Sequence, residues 1–509
     1  MGRGFAGLLK PLSGQQGAPV GWLWLERLAV LALGNNEYAL RALPLTAGLA
    51  ALPLMYYIAR RVLGPWPAAL ATALLAAAPG ALRYSVEVKQ YSSDMTLAMI
   101  IVALGLRAAE RQSGPATRWT WGVVGAVAVW CSHPAVFVLA GTGAVLLVDL
   151  LRRPSPSDLR LLLKVSAVWV VSFALDWLVS LRQLGDNTFL RSYWAAGLAP
   201  RPFEAGTWVP WLGRVAVDVF RDPVALPIPV VSGFVVAAGL VWCLQREPIN
   251  AGLLAAPILV GFGAASVGAF PLEGRMALWL LPAALIGVAG AADLVAVGVN
   301  RALYVETAVH RAPRKRLRWE GAGLAVCLAV ALGQAPLRQV GGVAHDPSTW
   351  IDLRPLLQAI RPMVEPTDQV WVHNDDAPSA QYYALSTGVR TSYVLYDSVA
   401  PGECLGSPEL AGTASGHRVW LIYGYVSSIS PPDEAGILNA RLSGLAHFVL
   451  SVHRPHVTAW LYNFSGPAAS SGLSGLSGAD QLGCIGLAPA PLPVSTGLHV
   501  DPLGRGRLT

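Results

Sequence analysis

Long apolar runs broken by short polar or basic stretches fill the first two thirds of the chain. They predict about ten membrane spans, at residues 42–62, 66–80, 92–108, 119–132, 133–151, 161–182, 226–244, 251–269, 277–298 and 320–337, judged against the ~20 residues a helix needs to cross a bilayer. The short arms beside "CSHPA" predict two tilted helices meeting at a tight turn near His133 and Pro134, or one re-entrant hairpin. Residues 183–225 carry "NTFLRSYWAAGLAP" and "TWVPWLGRVAVDVF", whose aromatics suit amphipathic helices lying in the interface. After residue 337 the pattern changes. "DQVWVHNDD", "RTSYVLY" and "HRVWLIYGY" read as short β-branched and aromatic strands, separated by helical stretches such as "DLRPLLQAI" and "ILNARLSGL". That alternation predicts a second, α/β domain over 338–509 with a largely parallel sheet and a loop-rich tail, following a helical membrane domain over 1–337.

Composition agrees with a polytopic membrane protein: of 509 residues 54% are hydrophobic and 13% charged, with a mean hydropathy of +0.49. A net charge of +7 raises the question of nucleic acid. The basic residues instead form short runs between apolar segments, which is the positive-inside pattern, so no nucleic-acid partner is expected. Arg60 and Arg61, Arg107 with Arg111 and Arg118, Arg152 with Arg153, Arg246, and "HRAPRKRLRW" at 310–319 fall in alternate loops, which are therefore predicted to be cytoplasmic. The loop "YSVEVKQYSSD" and the α/β domain are then expected outside, in a multi-pass protein of the cell membrane. The same count puts Met1 outside with no cleavable signal peptide behind it, which predicts that a first helix precedes this chain. Cys404 and Cys484 are the two of five cysteines outside apolar segments, and an oxidising outer compartment is expected to pair them.

The stretch "ALRYSVEVKQYSSDMTLAMI" sets Arg83, Glu87, Lys89 and Asp94 at the mouth of two spans. Such charges either keep a turn in water or face a substrate. On the second reading Glu87 and Asp94 supply carboxylates for acid–base work and Lys89 a cation for an anionic lipid-linked substrate. If the segment is helical, Glu87 and Tyr91 share a face, with Asp94 three residues further on. Arg275, in "PLEGR", either anchors a helix end or offers its planar fork to a phosphate beside Gly274. His133 is a turn residue, or with Glu87 a ligand for a divalent ion. Arg191, Tyr193 and Trp194 either stack on sugar or prenyl chain or belong to an interfacial aromatic belt. Asp176 lies within a span, where acids default to function or to pairing, whereas Asp149 and Asp293 near cytoplasmic ends are expected to be solvated. In "HNDDAPSAQYY" the acids Asp375 and Asp376 suit a turn and helix cap better than a metal site.

"GNNEYALRALPLTAGLAALPLMYYIARRVLG", "APGALRYSVEVKQYSSD" and "FPLEGRMALWLLPAALIGVAG" together resemble the family 39 type of polyprenyl-phosphate-dependent glycosyltransferases, over roughly residues 15–337. That group has the GT-C fold shared by protein O-mannosyltransferases and lipid A aminoarabinose transferases. The resemblance implies inverting transfer of a sugar from a polyprenyl-phosphate carrier to a cell-envelope acceptor on the outer face. A carboxylate would serve as base, and cations or a divalent metal would stabilise the departing lipid phosphate, with no cofactor strictly required. The residues of this chain expected to serve such a reaction are Glu87 and Asp94 in catalysis, and Lys89, Tyr91, Arg275 and Arg191 in binding lipid phosphate or sugar. The family's acidic pair in the first outer loop has no counterpart in "MGRGFAGLLKPLSGQQGAPVGWLWLERL", where Glu26 is the one acid. Either translation starts upstream of Met1, or the protein holds lipid-linked sugar without catalysis.

Overall fold

The computed structural model describes residues 3–12, 16–185, 188–200, 205–310, 353–374, 376–396, 412–424, 439, 442–464, 486–489, 498–500 and 506–508. Cys404, Cys484 and the expected span at 320–337 lie outside these residues. The chain divides into two compact units near residue 341.

The first unit is helical. Helix α1 (Val20–Leu33) is followed by α2 (Glu37–Leu63), α3 (Pro65–Ala76), α4 (Pro79–Val86), α5 (Tyr91–Ala108), α6 (Pro115–Cys131) and α7 (Ala135–Arg152). Then come α8 (Pro156–Asp176), α9 (Arg182–Gly185), α10 (Thr188–Tyr193), α11 (Ala205–Arg221), α12 (Pro229–Arg246), α13 (Pro248–Ser266) and α14 (Leu281–His310). Among the described residues seven helices are long and apolar enough to cross a membrane, or eight if the bent pair α3–α4 is one span. This is a multi-pass membrane protein. The apolar run at 66–80 does not form one straight span, because the chain bends by 54° between α3 and α4, where Pro79 opens a new helix.

Burial separates the bundle's centre from its lipid-facing rim. The apolar windows of α5 and of the 3-10 turn Gly274–Leu280 with α14 are 78% and 83% buried, whereas the other candidate spans are 22–33% buried. Glycines allow the close contacts a membrane bundle needs. A Cβ on Gly239 of α12 would fall 1.8 Å from the Gly287 carbonyl oxygen of α14, and one on Gly141 of α7 would fall 2.5 Å from the Pro257 nitrogen of α13. Asp293, expected to be solvated, is instead buried, ion-paired with Arg246 and bonded by Trp242 Nε1 at 3.0 Å. A carboxylate at this depth requires such partners.

The second unit is a six-stranded sheet with α15 (Leu353–Ile360) and α16 (Ala377–Thr387). Its strands β1 (Gln369–His373), β2 (Tyr393–Tyr396), β3 (Arg418–Tyr423), β4 (His447–Arg454), β5 (Val457–Asn463) and β6 (Gly486–Pro489) are ordered β4-β5-β3-β1-β2-β6. The centre is parallel, β1 pairing with both β2 and β3, as the strand–helix alternation predicts. The flanks are antiparallel rather than parallel. Pro455 and His456 alone join β4 to β5, a connection too short for a crossover, with His456 at φ +56°. Asp376 does not cap α16 through its side chain, which accepts from Gly424 N–H at 2.7 Å instead.

Candidate functional site

The opening charges gather at the start of α5. Pro79 starts α4, which runs out at Val86. A tight turn, with Lys89 N–H donating to the Glu87 carbonyl at 2.7 Å, then sends the chain into α5. Tyr84 and Tyr91, one on each helix, meet edge to face at 5.2 Å between ring centroids. Both are buried, so the turn is held by an aromatic clasp.

Arg275 comes to this clasp from the turn before α14. Its guanidinium carbon lies 5.7 Å from the Tyr91 ring centroid, 6.0 Å from Tyr193 and 5.1 Å from Trp194. Three aromatic faces thus surround one cation, each contributing on the order of 0.5–1 kcal/mol or more where water is excluded. Gly274 makes the approach possible. It has φ +47°, and a Cβ there would sit 3.2 Å from Asp222 Oδ2. Asp222 completes the electrostatic set: burial pushes its carboxyl up, against the pull of Arg83 and Arg275.

The two predicted carboxylates differ in what holds them. Glu87 pairs with Arg83 at 3.4 Å, and about a third of each side chain is exposed. Asp94, one turn below Tyr91, is buried, and its backbone N–H joins the first turn of α5 by donating to the Gln90 carbonyl at 2.8 Å. That position favours negative charge. Ser132, from the turn between α6 and α7, lies beside the Asp94 carboxyl. Neither its hydroxyl nor Asp94 Oδ1 completes a hydrogen bond among the described residues. His133 Nε2 is likewise buried without a partner there. Asp176 of α8 shares with Asp94 the surroundings of Cys131.

The structure thus brings Glu87, Tyr91, Asp94 and Arg275 together. Tyr91 is within electrostatic reach of the other three and of Tyr193. Lys89 points to Gln16, bonding its Oε1 at 3.1 Å. Arg191 lines a neighbouring groove rather than the ring around Arg275. Among the described residues no three His, Cys, Asp or Glu side chains are gathered as a metal would require. Tyr84, Ser132 and Asp222 were not singled out by sequence pattern. Asp222 carries the one available signal, an acid beside Pro223 in an otherwise apolar connection between α11 and α12.

Residues 17–177 match the family model described as dolichyl-phosphate-mannose-protein mannosyltransferase. The first two stretches that carried the resemblance lie inside that match, and the resemblance is borne out. Among solved structures the chain is similar to ArnT from Cupriavidus metallidurans bound to undecaprenyl phosphate, at 16% identity, with 89% of each chain covered and a TM-score of 0.50. This protein has the GT-C fold. Weaker likenesses are to the apo state of the same ArnT, at 15% identity over 88% of this chain and 89% of that one with a TM-score of 0.47. The archaeal oligosaccharyltransferase AglB from Archaeoglobus fulgidus, in complex with an inhibitory peptide and a dolichol-phosphate, also matches. There the identity is 13% over 90% of this chain and 67% of that one, with a TM-score of 0.41. A search of the curated proteins finds no match to the sequence. In this GT-C chain Tyr91 and Asp94, at the start of α5, lie within the segment that matches the family model, whereas Arg275, Tyr193 and Trp194 lie beyond it.

Proposed function

We propose that the chain is a membrane glycosyltransferase that moves a sugar, with inversion, from a polyprenyl-phosphate carrier to a cell-envelope acceptor on the outer face. The observation that carries this reading is the pairing of an aromatic-ringed guanidinium with a buried carboxylate one helical turn from one of those rings. A dissociating lipid phosphate needs a fixed cation, and an attacking hydroxyl needs a base. The similar ArnT from Cupriavidus metallidurans, bound to undecaprenyl phosphate, supports a lipid-phosphate donor.

The step follows from these roles. An acceptor hydroxyl gives its proton to the Asp94 carboxylate as its oxygen attacks the anomeric carbon of the sugar. The bond from that carbon to the phosphate oxygen breaks, and its electron pair leaves on the polyprenyl phosphate. Arg275 receives the growing charge through its planar fork, with Lys89 as a second cation. Tyr91, Tyr193 and Trp194 hold Arg275 in place, so little reorganisation is needed as charge develops. Glu87 orients Arg83 beside the clasp. A divalent ion would supply further phosphate neutralisation, and the described residues offer no ligand set for it. On this reading residues 338–509 form an extracytoplasmic domain.

Direct binding to the purified full chain tests the donor class. Undecaprenyl phosphate should bind at least tenfold more tightly than undecaprenol, which lacks the phosphate. Equal affinity for the two would overturn the reading. Phosphate-dependent binding without transfer from any undecaprenyl-phosphate sugar to an envelope fraction would favour the non-catalytic lipid-linked-sugar binder.

A further inference from the structure

A groove of about 590 Å³, within the usual range for small-molecule sites, adjoins the segment that clasps Arg275. It is lined by Arg191, Leu198, Pro200, Thr207, Trp211 and Arg214, among others. Arg191 and Ala195 on its wall flank Tyr193 and Trp194 in the chain, so one short segment serves both the ring around Arg275 and the groove.

The groove is built rather than incidental. Trp211 and Arg214, one turn apart on α11, donate to the same Ala196 carbonyl, at 3.1 and 3.0 Å. That anchors one guanidinium nitrogen of Arg214 and leaves the rest of its planar fork to offer. The same strip is pinned from below, where Leu272 N–H donates to Gly197 O and Ala199 N–H to Ala265 O. Two acids lie near. Asp218 is paired with Arg221 at 2.9 Å. Glu273, in electrostatic reach of Arg214, is raised above the usual carboxylate range by burial, against a backbone bond from Gly197. Arg191, on the exposed side, has no carboxylate partner among the described residues.

We infer that this groove seats the acceptor, and that the acceptor carries a phosphate or phosphodiester beside the hydroxyl it offers. Two arginines facing a cavity of this size form a fork-bearing anion site. The donor phosphate already has its cation at Arg275, so a second anion site next to it serves the other substrate. The inference rests on the glycosyltransferase reading, because without transfer there is no acceptor to seat.

Titration calorimetry on the full chain in detergent, with glycerol 3-phosphate as probe, tests it. Glycerol 3-phosphate should bind and glycerol should not. Arg214→Gln should weaken the probe at least tenfold, Arg191→Gln less, and Arg214→Lys should fall between, while undecaprenyl phosphate affinity stays at the wild-type value in all three. The idea is overturned if Arg214→Gln and Arg191→Gln leave the probe unchanged, or if Arg214→Gln weakens undecaprenyl phosphate instead, which would assign the groove to the donor. Inorganic phosphate binding as tightly as glycerol 3-phosphate would mark a free-phosphate site and equally overturn the acceptor assignment. Failure of the wild type to bind undecaprenyl phosphate would instead sink the glycosyltransferase reading.

Discussion

Arg275 is a residue whose charge, shape and setting each matter, and substitutions separate them. Lysine keeps the charge but loses both the flat face that lies against Trp194 and the bidentate fork. Replacing Arg275 by Lys should therefore weaken undecaprenyl phosphate binding by about tenfold, and by Ala up to about a hundredfold, the ~1.5–3 kcal/mol scale of a charge-assisted contact. A lysine variant that binds like wild type would show that Arg275 is merely a helix anchor. Asp94→Asn removes the proposed base without changing shape, so turnover should fall by about 10²–10⁴ with lipid binding retained. Glu87→Gln breaks a pair that is a third exposed, worth about 1 kcal/mol or less. Its turnover should drop no more than about fivefold. Equal losses from the two substitutions, measured by transfer rate, would reverse the roles assigned to the two acids. The sequence exposed Asp94, Glu87 and Arg275 because charges at the ends of apolar runs are conspicuous. It could not expose Tyr84 or Ser132, whose importance comes only from which helix ends the fold sets side by side, and for Asp222 it offered no more than an acid beside Pro223.

Helices carry the second kind of constraint. On α1 the buried face holds Val20, Trp22, Leu23, Glu26 and Val30. Neither Glu26 oxygen nor Trp22 Nε1 has a partner among the described residues, and burial pushes the Glu26 carboxyl up to about 8. The folded state thus keeps this proton over a range in which the unfolded chain, with an ordinary value of 4.5, has lost it. Stability tied to Glu26 is fully present below 4.5 and is lost as pH rises toward about 8. Glu26→Gln should remove that loss, raising the thermal midpoint of the variant over wild type at about pH 8 but not at acid pH; parallel midpoint curves would refute it. Between α12 and α14 the constraint is steric. Gly239→Val would drive a side chain into the Gly287 carbonyl, an overpacking cost of about 1–3 kcal/mol or more, so detergent-extracted protein should show a lower midpoint and reduced yield. Hydrophobic periodicity located most of these helices, because length and apolarity alone define a span. The bend between α3 and α4 and the antiparallel flanks of the sheet were less legible, since a break or a pairing direction depends on a few connecting residues such as Pro79 or Pro455–His456.

At the scale of the whole molecule, the two ends of α5 set the orientation. Its N-terminal end carries Tyr91 and Asp94 with the Arg275 ring. Past its C-terminal end Glu110 pairs with Arg61 of α2, and Asn250 Nδ2 at the start of α13 bonds the Arg61 carbonyl at 3.2 Å. Arg118–Asp158 and Arg246–Asp293 are further pairs from the same set of arginine-bearing loops. Arginines flanking spans are held on the cytoplasmic side, because moving them across during insertion is disfavoured. The proposed chemistry then belongs to the opposite face, where a lipid carrier would present its sugar to envelope acceptors, and the basic run at 310–319 predicts an extracytoplasmic location for residues 338–509. Cysteine labelling in intact cells decides the matter, in a background from which the five native cysteines have been replaced. A membrane-impermeant maleimide should label Arg191→Cys, beside the groove, while Arg153→Cys, after α7, should react only once the cells are lysed. Protease added to spheroplasts should release the sheet unit. Labelling of Arg153→Cys in intact cells with Arg191→Cys protected would invert the topology, and would remove the outer face as the place where Asp94 and Arg275 meet their substrates.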